Sequence, residues 1–186
     1  MQTSEAINAR RTIKKFTDQE VAREHIEAML AAAALAPNHR MTQPWRFYVF
    51  GQVARTGYGA ALGNRKAKKI DDQVLAQSIR DNTTAEHKAL PMMLGVSMLM
   101  NDNEEIREED YAATMMAVEN LLITAVDLGY GTALKSGAIL TDPAARAACA
   151  INGGERLVLI INVGVPAEIP LPKNRELAPN LTKWVP

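Results

Sequence analysis

The run LPMMLGVSMLM, Leu90 to Met100, constrains the fold more than any other stretch of the sequence. It is uncharged, and it is too short to cross a bilayer, for which a helix needs about 20 apolar residues. A strand with one face in solvent would alternate apolar and polar residues, and this run does not. We therefore expect a strand that is buried on both faces, in a sheet covered by helices.

The rest of the chain completes this prediction. Further strands are expected at Trp45–Phe50, Gly131–Gly137 and Arg156–Val165. Helices are expected at SEAINARR, VAREHIEAMLAAAALA, Asp110–Leu128 and DPAARAACAI, and in pieces between Val53 and Lys88. These assignments follow from apolar periodicity and from the β-branched and aromatic content of each segment. The sequence thus predicts one α+β domain, residues 1–186, with a mixed central sheet of about four strands wrapped by helices.

Composition narrows the class of function. The chain has 21 basic and 21 acidic residues, so it lacks the positive charge that attracts nucleic acids or membranes. His25, His39 and His87 have no metal-ligand spacing, so we expect no metal site. Cys149, the single cysteine, is expected to be a buried hydrophobe, and this cysteine usage suits a reducing compartment. The N-terminus has no apolar signal core, so we expect a cytoplasmic protein.

Two stretches have the composition of a ligand site. Arg10-Arg11-Thr12-Ile13-Lys14 offers three cations and a hydroxyl, a set that suits phosphate, although a solvated basic turn has the same composition. GYGTALKSG, Gly129 to Gly137, surrounds Lys135 and Ser136 with glycines that allow close approach of a ligand. A helix stop followed by a tight turn into a strand also explains this second stretch.

A third stretch, APNHRMTQPWRFYVF from Ala36 to Phe50, is a polar turn that leads into an aromatic strand. His39 alone is more often a structural or surface histidine than a catalytic one. The sequence contains no Ser-His-Asp order, no paired-carboxylate motif and no phosphate-binding P-loop. An enzyme with this sequence would therefore depend on the chemistry of a bound cofactor.

Three segments together resemble the signatures of the FMN-dependent nitroreductase family, and most closely those of its short, minimal members. They are INARRTIKKF (Ile7 to Phe16), APNHRMTQPWRFYVF and GYGTALKSGA (Gly129 to Ala138). The resemblance implies a nitroreductase-like fold and a homodimer with FMN at its interface. It also implies that a fifth strand or a tail comes from the partner subunit, so the proline-rich end of this chain, with Trp184, would embrace the other copy.

The activity implied by the resemblance is ping-pong hydride transfer from NADH or NADPH, through FMN, to an electron-poor acceptor. A nitroaromatic, a quinone or an activated alkene would serve as the small-molecule acceptor. The flavin carries this chemistry, so no catalytic side chain is implied. Two alternatives stay open: another flavin reaction, such as dehydrogenation or flavin breakdown, and a non-catalytic dimeric binding protein with a weakened flavin site.

The resemblance also assigns cofactor contacts. Arg10, Arg11 and Thr12 would bind the phosphate and ribityl chain, and Lys14 would approach the pyrimidine end of the ring. Across the interface, the turn would supply apolar contacts from Leu35 and Pro37 and polar contacts from Asn38, His39 and Gln43. The opposite wall would be formed by Leu134, Lys135 and Ser136. The nicotinamide would bind at Thr124, Ala125, Val126, Asp127, Leu128 and Gly129.

One departure from the minimal members bears on this site. They carry Trp-Arg-Ser where this chain has Leu134-Lys135-Ser136. Leucine removes a stacking surface, and lysine replaces a bidentate guanidinium with a point charge. Both changes would loosen flavin binding or open the pocket.

Overall fold

The computed structural model describes residues 1–186. Its strands are β1 (Trp45–Val49), β2 (Met92–Leu99), β3 (Gly131–Lys135) and β4 (Glu155–Gly164). Its α-helices are α1 (Thr3–Ala9), α2 (Arg23–Ala34), α3 (Gln52–Ala67), α4 (Gln73–Lys88), α5 (Glu104–Asp127) and α6 (Pro143–Ala148). Short 3-10 helices cover Ala138–Thr141 and Ala178–Leu181. Each strand lies within two residues of its predicted bounds.

The four strands form one sheet in the order β1-β2-β4-β3. Every neighbouring pair is antiparallel, so the prediction of a mixed sheet was wrong. The long helix α5 joins β2 to β3, which run in the same direction, but β4 lies between them. A helical crossover usually joins parallel neighbours, and here it joins strands that do not touch. The one parallel contact is an isolated bridge between Thr12 and Thr132.

The central strands are buried on both faces, as expected for β2. On one face, the even-numbered residues of β2 pack with Met29 of α2 and Leu121 of α5. On the other face, Met93 packs with Tyr58 of α3 and Ala145 of α6. Helices therefore cover both sides of the sheet and leave its two edges, β1 and β3, as the accessible borders.

The polar region between Val53 and Lys88 forms two long helices that pack closely against each other. A Cβ atom built at Gly59 would lie 3.0 Å from the Cα atom of Thr84, and one at Gly63 would lie 3.0 Å from that of Arg80. Only glycine allows this approach, since real Cβ contacts are rarely so short. These glycines are a packing surface between α3 and α4.

Helix α5 begins at Glu104, six residues before its predicted start. The side chain of Asn103 accepts hydrogen bonds from the backbone N–H groups of Glu105 (2.9 Å) and Ile106 (3.3 Å). The negative charges of the acidic residues in the first turn stabilise the helix, because they lie near the positive end of its dipole. The added turns bring Asp110 inside the helix, where its carboxylate is buried.

The chain beyond β4 runs over the surface as an irregular tail, residues 166–186. Its start is anchored by the Ala167 N–H, which donates to the Lys15 carbonyl at 3.0 Å, and by a bridge between Phe16 and Pro166. Apart from these anchors the tail is exposed, and Trp184 retains 93% of its accessible surface. No helix of the chain combines the length and the apolar character that crossing a membrane requires.

Candidate functional site

A cavity of about 870 Å³ lies between the segment Ile7–Lys15 and the tail segment Glu168–Arg175. Six cationic side chains line it: Arg10, Arg11, Lys14, Lys15, Lys173 and Arg175. Only Lys15 has a carboxylate within salt-bridge distance, Glu168 at 3.0 Å. The other five have no such partner. We call these lining residues the basic pocket, and their donors are those that a phosphate group requires.

Strand β3 holds the segment Ile7–Lys15, one side of the basic pocket, in place. The Ile13 N–H donates to the Thr132 carbonyl at 2.9 Å, and the Ile13 side chain is buried. A Cβ atom at Gly131 would lie only 2.3 Å from Ile13 Cγ1, so the segment depends on that glycine for its close approach. Since alternate side chains of an extended segment point to opposite sides, burial of Ile13 leaves Thr12 and Lys14 exposed.

Arg11 is oriented by the chain itself. Its guanidinium donates to the Asn8 carbonyl at 2.7 Å and to the Arg10 carbonyl at 2.9 Å. Two of its donors are therefore used to fix its position, and the others are free for a ligand. Arg10 is half-buried and makes no side-chain hydrogen bond within the chain.

The tail half of the basic pocket was missed by sequence reasoning. Lys173 and Arg175 belong to the stretch PLPKNRE. Lys15 lies inside the matching segment INARRTIKKF but was not among the predicted cofactor contacts. The only signal was a pair of cations in a proline-rich segment. The local sequence pattern does not predict that this segment lies against the end of α1.

The residues Leu134, Lys135 and Ser136 lie at the end of β3, further along the same edge, and they are exposed. They do not line the basic pocket. His87, in α4, donates from its Nδ1–H to the Thr83 carbonyl at 2.8 Å, because a carbonyl oxygen can only accept. Burial, and then the cations Lys66 and Lys135, lower the pKa of His87.

The polar turn lies between α2 and β1, at the opposite edge of the sheet. Leu35, His39 and Gln43 are exposed there. Met41 and Gln43 have φ angles of 51° and 44°, in the left-handed region that side chains other than glycine rarely adopt. Each such residue costs about 1–3 kcal/mol, so the rest of the turn must hold it in place.

Within one chain, the two halves of the predicted site do not meet. The basic pocket lies along β3 and the polar turn precedes β1, with β2 and β4 between them. Three strand spacings of about 4.8 Å place the two edges about 14 Å apart. The structure therefore brings Arg10, Arg11, Thr12 and Lys14 together and leaves the turn residues apart from them.

The segment predicted to bind the nicotinamide lies at the C-terminal end of α5. Ala125 is completely buried in the core, so its side chain offers no surface to a ligand. The Thr124 hydroxyl donates to the Asn120 carbonyl at 2.8 Å, and Asp127 lies 2.7 Å from the amino group of Met1. A role for Thr124, Val126, Asp127, Leu128 and Gly129 stays a prediction.

Other reactive groups give no second site. No group of three or more His, Cys, Asp or Glu side chains is arranged to hold a metal ion. Cys149 is buried, as predicted, and burial raises the pKa of its thiol to about 12. Such a thiol is not a nucleophile at neutral pH.

The model of the nitroreductase family matches residues 7–165. The chain belongs to the nitroreductase family. It is 36% identical over 172 residues to "Putative NAD(P)H nitroreductase YfhC" of Bacillus subtilis, covering 91% of this chain and 87% of that protein. The predicted family, an oxidoreductase family, is thereby confirmed.

Solved structures support the same fold. A nitroreductase-like family protein from Bacillus cereus superposes with a TM-score of 0.85 at 24% identity, covering 100% of this chain and 96% of that one. A nitroreductase with bound FMN from Bacteroides fragilis superposes with a TM-score of 0.76 at 20% identity, covering 100% of both chains. The predicted nitroreductase-like α+β fold is confirmed.

Proposed function

We propose that this protein is an FMN-dependent oxidoreductase that takes its reducing equivalents from NADH or NADPH and works as a homodimer. The observation that carries the proposal is the basic pocket, where five of six cations have no carboxylate partner in a chain of zero net charge. Unpaired cations that surround one cavity create a positive potential that attracts an anion. The FMN phosphate is such an anion.

The residues of the basic pocket fit that group. The free donors of Arg10 and Arg11 would bind phosphate oxygens as charge-assisted hydrogen bonds, and the Thr12 hydroxyl would add a neutral donor. Lys173 and Arg175 would contribute charge from the tail side of the same cavity. Lys14, on the exposed side of the segment, would lie nearest to the ring, where a cation favours the reduced cofactor.

The redox chemistry that FMN supplies when bound is reversible hydride transfer, so the nicotinamide and the acceptor would use one site in turn, in a ping-pong scheme. The protein would orient the cofactor and exclude water from the site. Nitroaromatics, quinones and activated alkenes are the acceptor classes that we propose. Leu134 is 40% exposed beside this edge, and its small aliphatic side chain would leave room for an aromatic acceptor.

The homodimer proposal rests on two features of the single chain. The polar turn lies on the opposite edge from the basic pocket, so only the turn of a second copy could complete the site. The tail also presents apolar side chains to solvent, among them Leu171 (88% exposed) and Trp184. Exposed apolar surface of this extent marks an interaction surface. We propose that the tail packs on the second copy, and that Leu35, Pro37, Asn38, His39 and Gln43 contact the flavin held by that copy.

The test is an absorption spectrum of the purified protein, recorded anaerobically before and after addition of NADH and then NADPH. We expect a flavin spectrum that bleaches with one or both nicotinamides and returns when a nitroaromatic or quinone is added. A flavin that neither nicotinamide reduces would indicate another flavin reaction. A colourless protein that takes up no added FMN would refute the proposal and leave a dimeric binding protein.

A further inference from the structure

A chain of hydrogen bonds connects a buried carboxylate of α5 to the backbone of the polar turn. The carboxylate of Asp110, 3% exposed, accepts a hydrogen bond from the Thr42 hydroxyl. Asn38 Nδ2 lies 3.1 Å from Thr42 Oγ1, and Asn38 Oδ1 accepts from the Gln43 backbone N–H at 2.7 Å. Four residues thus form one continuous path from the interior to the end of the turn.

The direction of these bonds is set by Asp110. The Thr42 hydroxyl has one proton and two acceptors within reach, the Asp110 carboxylate and Asn38 Oδ1 at 3.3 Å. A carboxylate can only accept, and a charged acceptor holds the proton more strongly than a neutral amide oxygen. Thr42 therefore donates to Asp110 and accepts from Asn38 Nδ2. This leaves Asn38 Oδ1 free to hold the Gln43 N–H.

The end point of the path is the strained part of the turn. Gln43 and Met41 both have left-handed φ angles, and such angles persist only where surrounding contacts determine them. A second tie, between Arg40 and Glu109 at 2.8 Å, lies on the surface, where an ion pair contributes little. The path, whose inner end is the buried Asp110, is therefore the stronger constraint on the backbone that presents His39 and Gln43.

Packing alone does not explain an aspartate at this position. Burying a carboxylate costs free energy unless it is paired, and no cation forms a salt bridge with Asp110. The nearby guanidinium of Arg40 is instead engaged by Glu109 and Glu105. An asparagine would fill the same volume without the charge, but it could also donate, and the direction of the path would be lost.

We infer that Asp110 is a positioning residue of the flavin site. It does not touch the cofactor. It fixes the donor direction of Thr42, and through Thr42 and Asn38 it holds the polar turn in the conformation that receives the flavin. This inference rests on the proposed function, because the turn has a cofactor to receive only if the protein binds FMN.

The experiment compares Asp110→Asn and Thr42→Val with two control variants of the full-length protein. Thr42→Ser keeps the hydroxyl, and Thr114→Val removes a buried hydroxyl one turn further along α5 that donates only to the Asp110 backbone carbonyl, at 2.7 Å. Two quantities are measured for each protein. They are the hydrogen–deuterium exchange rate of the peptide that contains the Gln43 amide and the Kd for FMN, from fluorescence titration of the flavin-free protein.

We expect Asp110→Asn and Thr42→Val to speed exchange at the turn and to raise the Kd for FMN by at least about tenfold, the lower end of the range for one lost hydrogen bond to a charged group. Thr42→Ser should rescue both quantities, and Thr114→Val should leave both unchanged even where it lowers thermal stability. A purely structural role of Asp110 would instead make the Thr114→Val and Thr42→Val proteins behave alike.

Unchanged exchange in Asp110→Asn and Thr42→Val would overturn the inference, because the path would then not hold the turn. Faster exchange with an unchanged Kd for FMN would overturn it as well, because the turn would then not serve the flavin. A wild-type protein that takes up no FMN would refute the proposed function, and with it the role at the flavin site. The exchange data would still decide separately whether Asp110 orders the turn.

Discussion

The polar side chains at the two edges of the sheet differ in where their partners lie. At the β1 edge, Asn38 bonds to Thr42, and Thr42 bonds to Asp110, all within the same chain. At the β3 edge, Arg10, Lys14 and most of the other cations of the basic pocket have no anionic partner in the chain. The first set has its partners inside the chain, whereas most cations of the second set have none there.

The location of the partners distinguishes polar groups that are already bonded within the chain from cations that are available to a ligand. A polar group whose partners are internal contributes to stability and to the shape of the backbone. A group of like charges without partners destabilises the free protein by mutual repulsion, and a bound anion relieves that repulsion. The predictions below test that contrast, beginning with the tail that would bring the two edges of different copies together.

Replacing Trp184 with serine should have the largest effect. The side chain is 93% exposed in the single chain, so its loss costs a monomer almost nothing. In the proposed dimer it would be a buried aromatic anchor, and such anchors contribute about 2–4 kcal/mol to association. We expect the dimer dissociation constant to rise by at least about 30-fold, measured by light scattering over a dilution series. The neighbouring Lys183→Ser variant is the control, and equal dissociation constants for the two variants would contradict the dimer proposal.

Replacing Arg10 with alanine should weaken FMN binding next most strongly. A hydrogen bond to a charged group contributes about 1.5–3 kcal/mol, which corresponds to roughly a 10- to 150-fold rise in the Kd for FMN. Unfolding stability should stay constant or increase slightly, since one unpaired cation is removed from the basic pocket. Arg65→Ala, an exposed cation of α3 outside that pocket, should leave the Kd unchanged. If the two variants bind FMN equally well, the pocket does not bind the phosphate.

Replacing Gly131 with alanine tests how the basic pocket is held to β3. The new methyl group would lie 2.3 Å from Ile13 Cγ1 and 2.9 Å from Pro166 Cγ, so either the segment or the start of the tail must move. Overpacking of this kind costs about 1–3 kcal/mol of unfolding free energy, measured by urea denaturation. Gly153→Ala, where a Cβ atom would have no neighbour within 4 Å, is the matched control. If the two variants had the same unfolding free energy, the contact between Gly131 and Ile13 would not be tight.

The fold could be predicted from the sequence where burial leaves a local signature. The uninterrupted apolar runs of β2 and β4 predicted buried strands, and the apolar face of α5 predicted a helix. The strand pairing could not be predicted in the same way, because periodicity shows that a strand is buried but not which strand lies beside it. A helix between β2 and β3 favoured parallel neighbours, whereas β4 lies between them.

The candidate site shows the same limit. Arg10, Arg11, Thr12 and Lys14 are adjacent in sequence, so a motif finds them. Lys173 and Arg175 reach the same cavity across the full length of the domain, and no local pattern records that contact. Asp110 was missed for a related reason, because its partner Thr42 is 68 residues away. Long-range contacts of single polar side chains leave no period in a sequence.

The smallest effect should come from Glu155, whose hydrogen bonds are all internal. Burial raises the pKa of its carboxyl, but hydrogen bonds from Ser97, Asn152 (3.0 Å) and Tyr48 (2.8 Å) outweigh burial and lower the pKa below its ordinary value of about 4.5. A lowered folded-state pKa adds stability above the ordinary pKa, and that stability is lost as the pH falls through the folded-state value. Glu155→Gln should therefore be less stable than the wild type by about 1 kcal/mol at pH 7, and the difference should shrink below about pH 4.5. Urea denaturation at both pH values measures the stability difference, and the variant Glu20→Gln, at an exposed position, is the control. A difference that grew in acid would mean that the carboxyl of Glu155 is held in its protonated form. The affinity for FMN should not change at either pH.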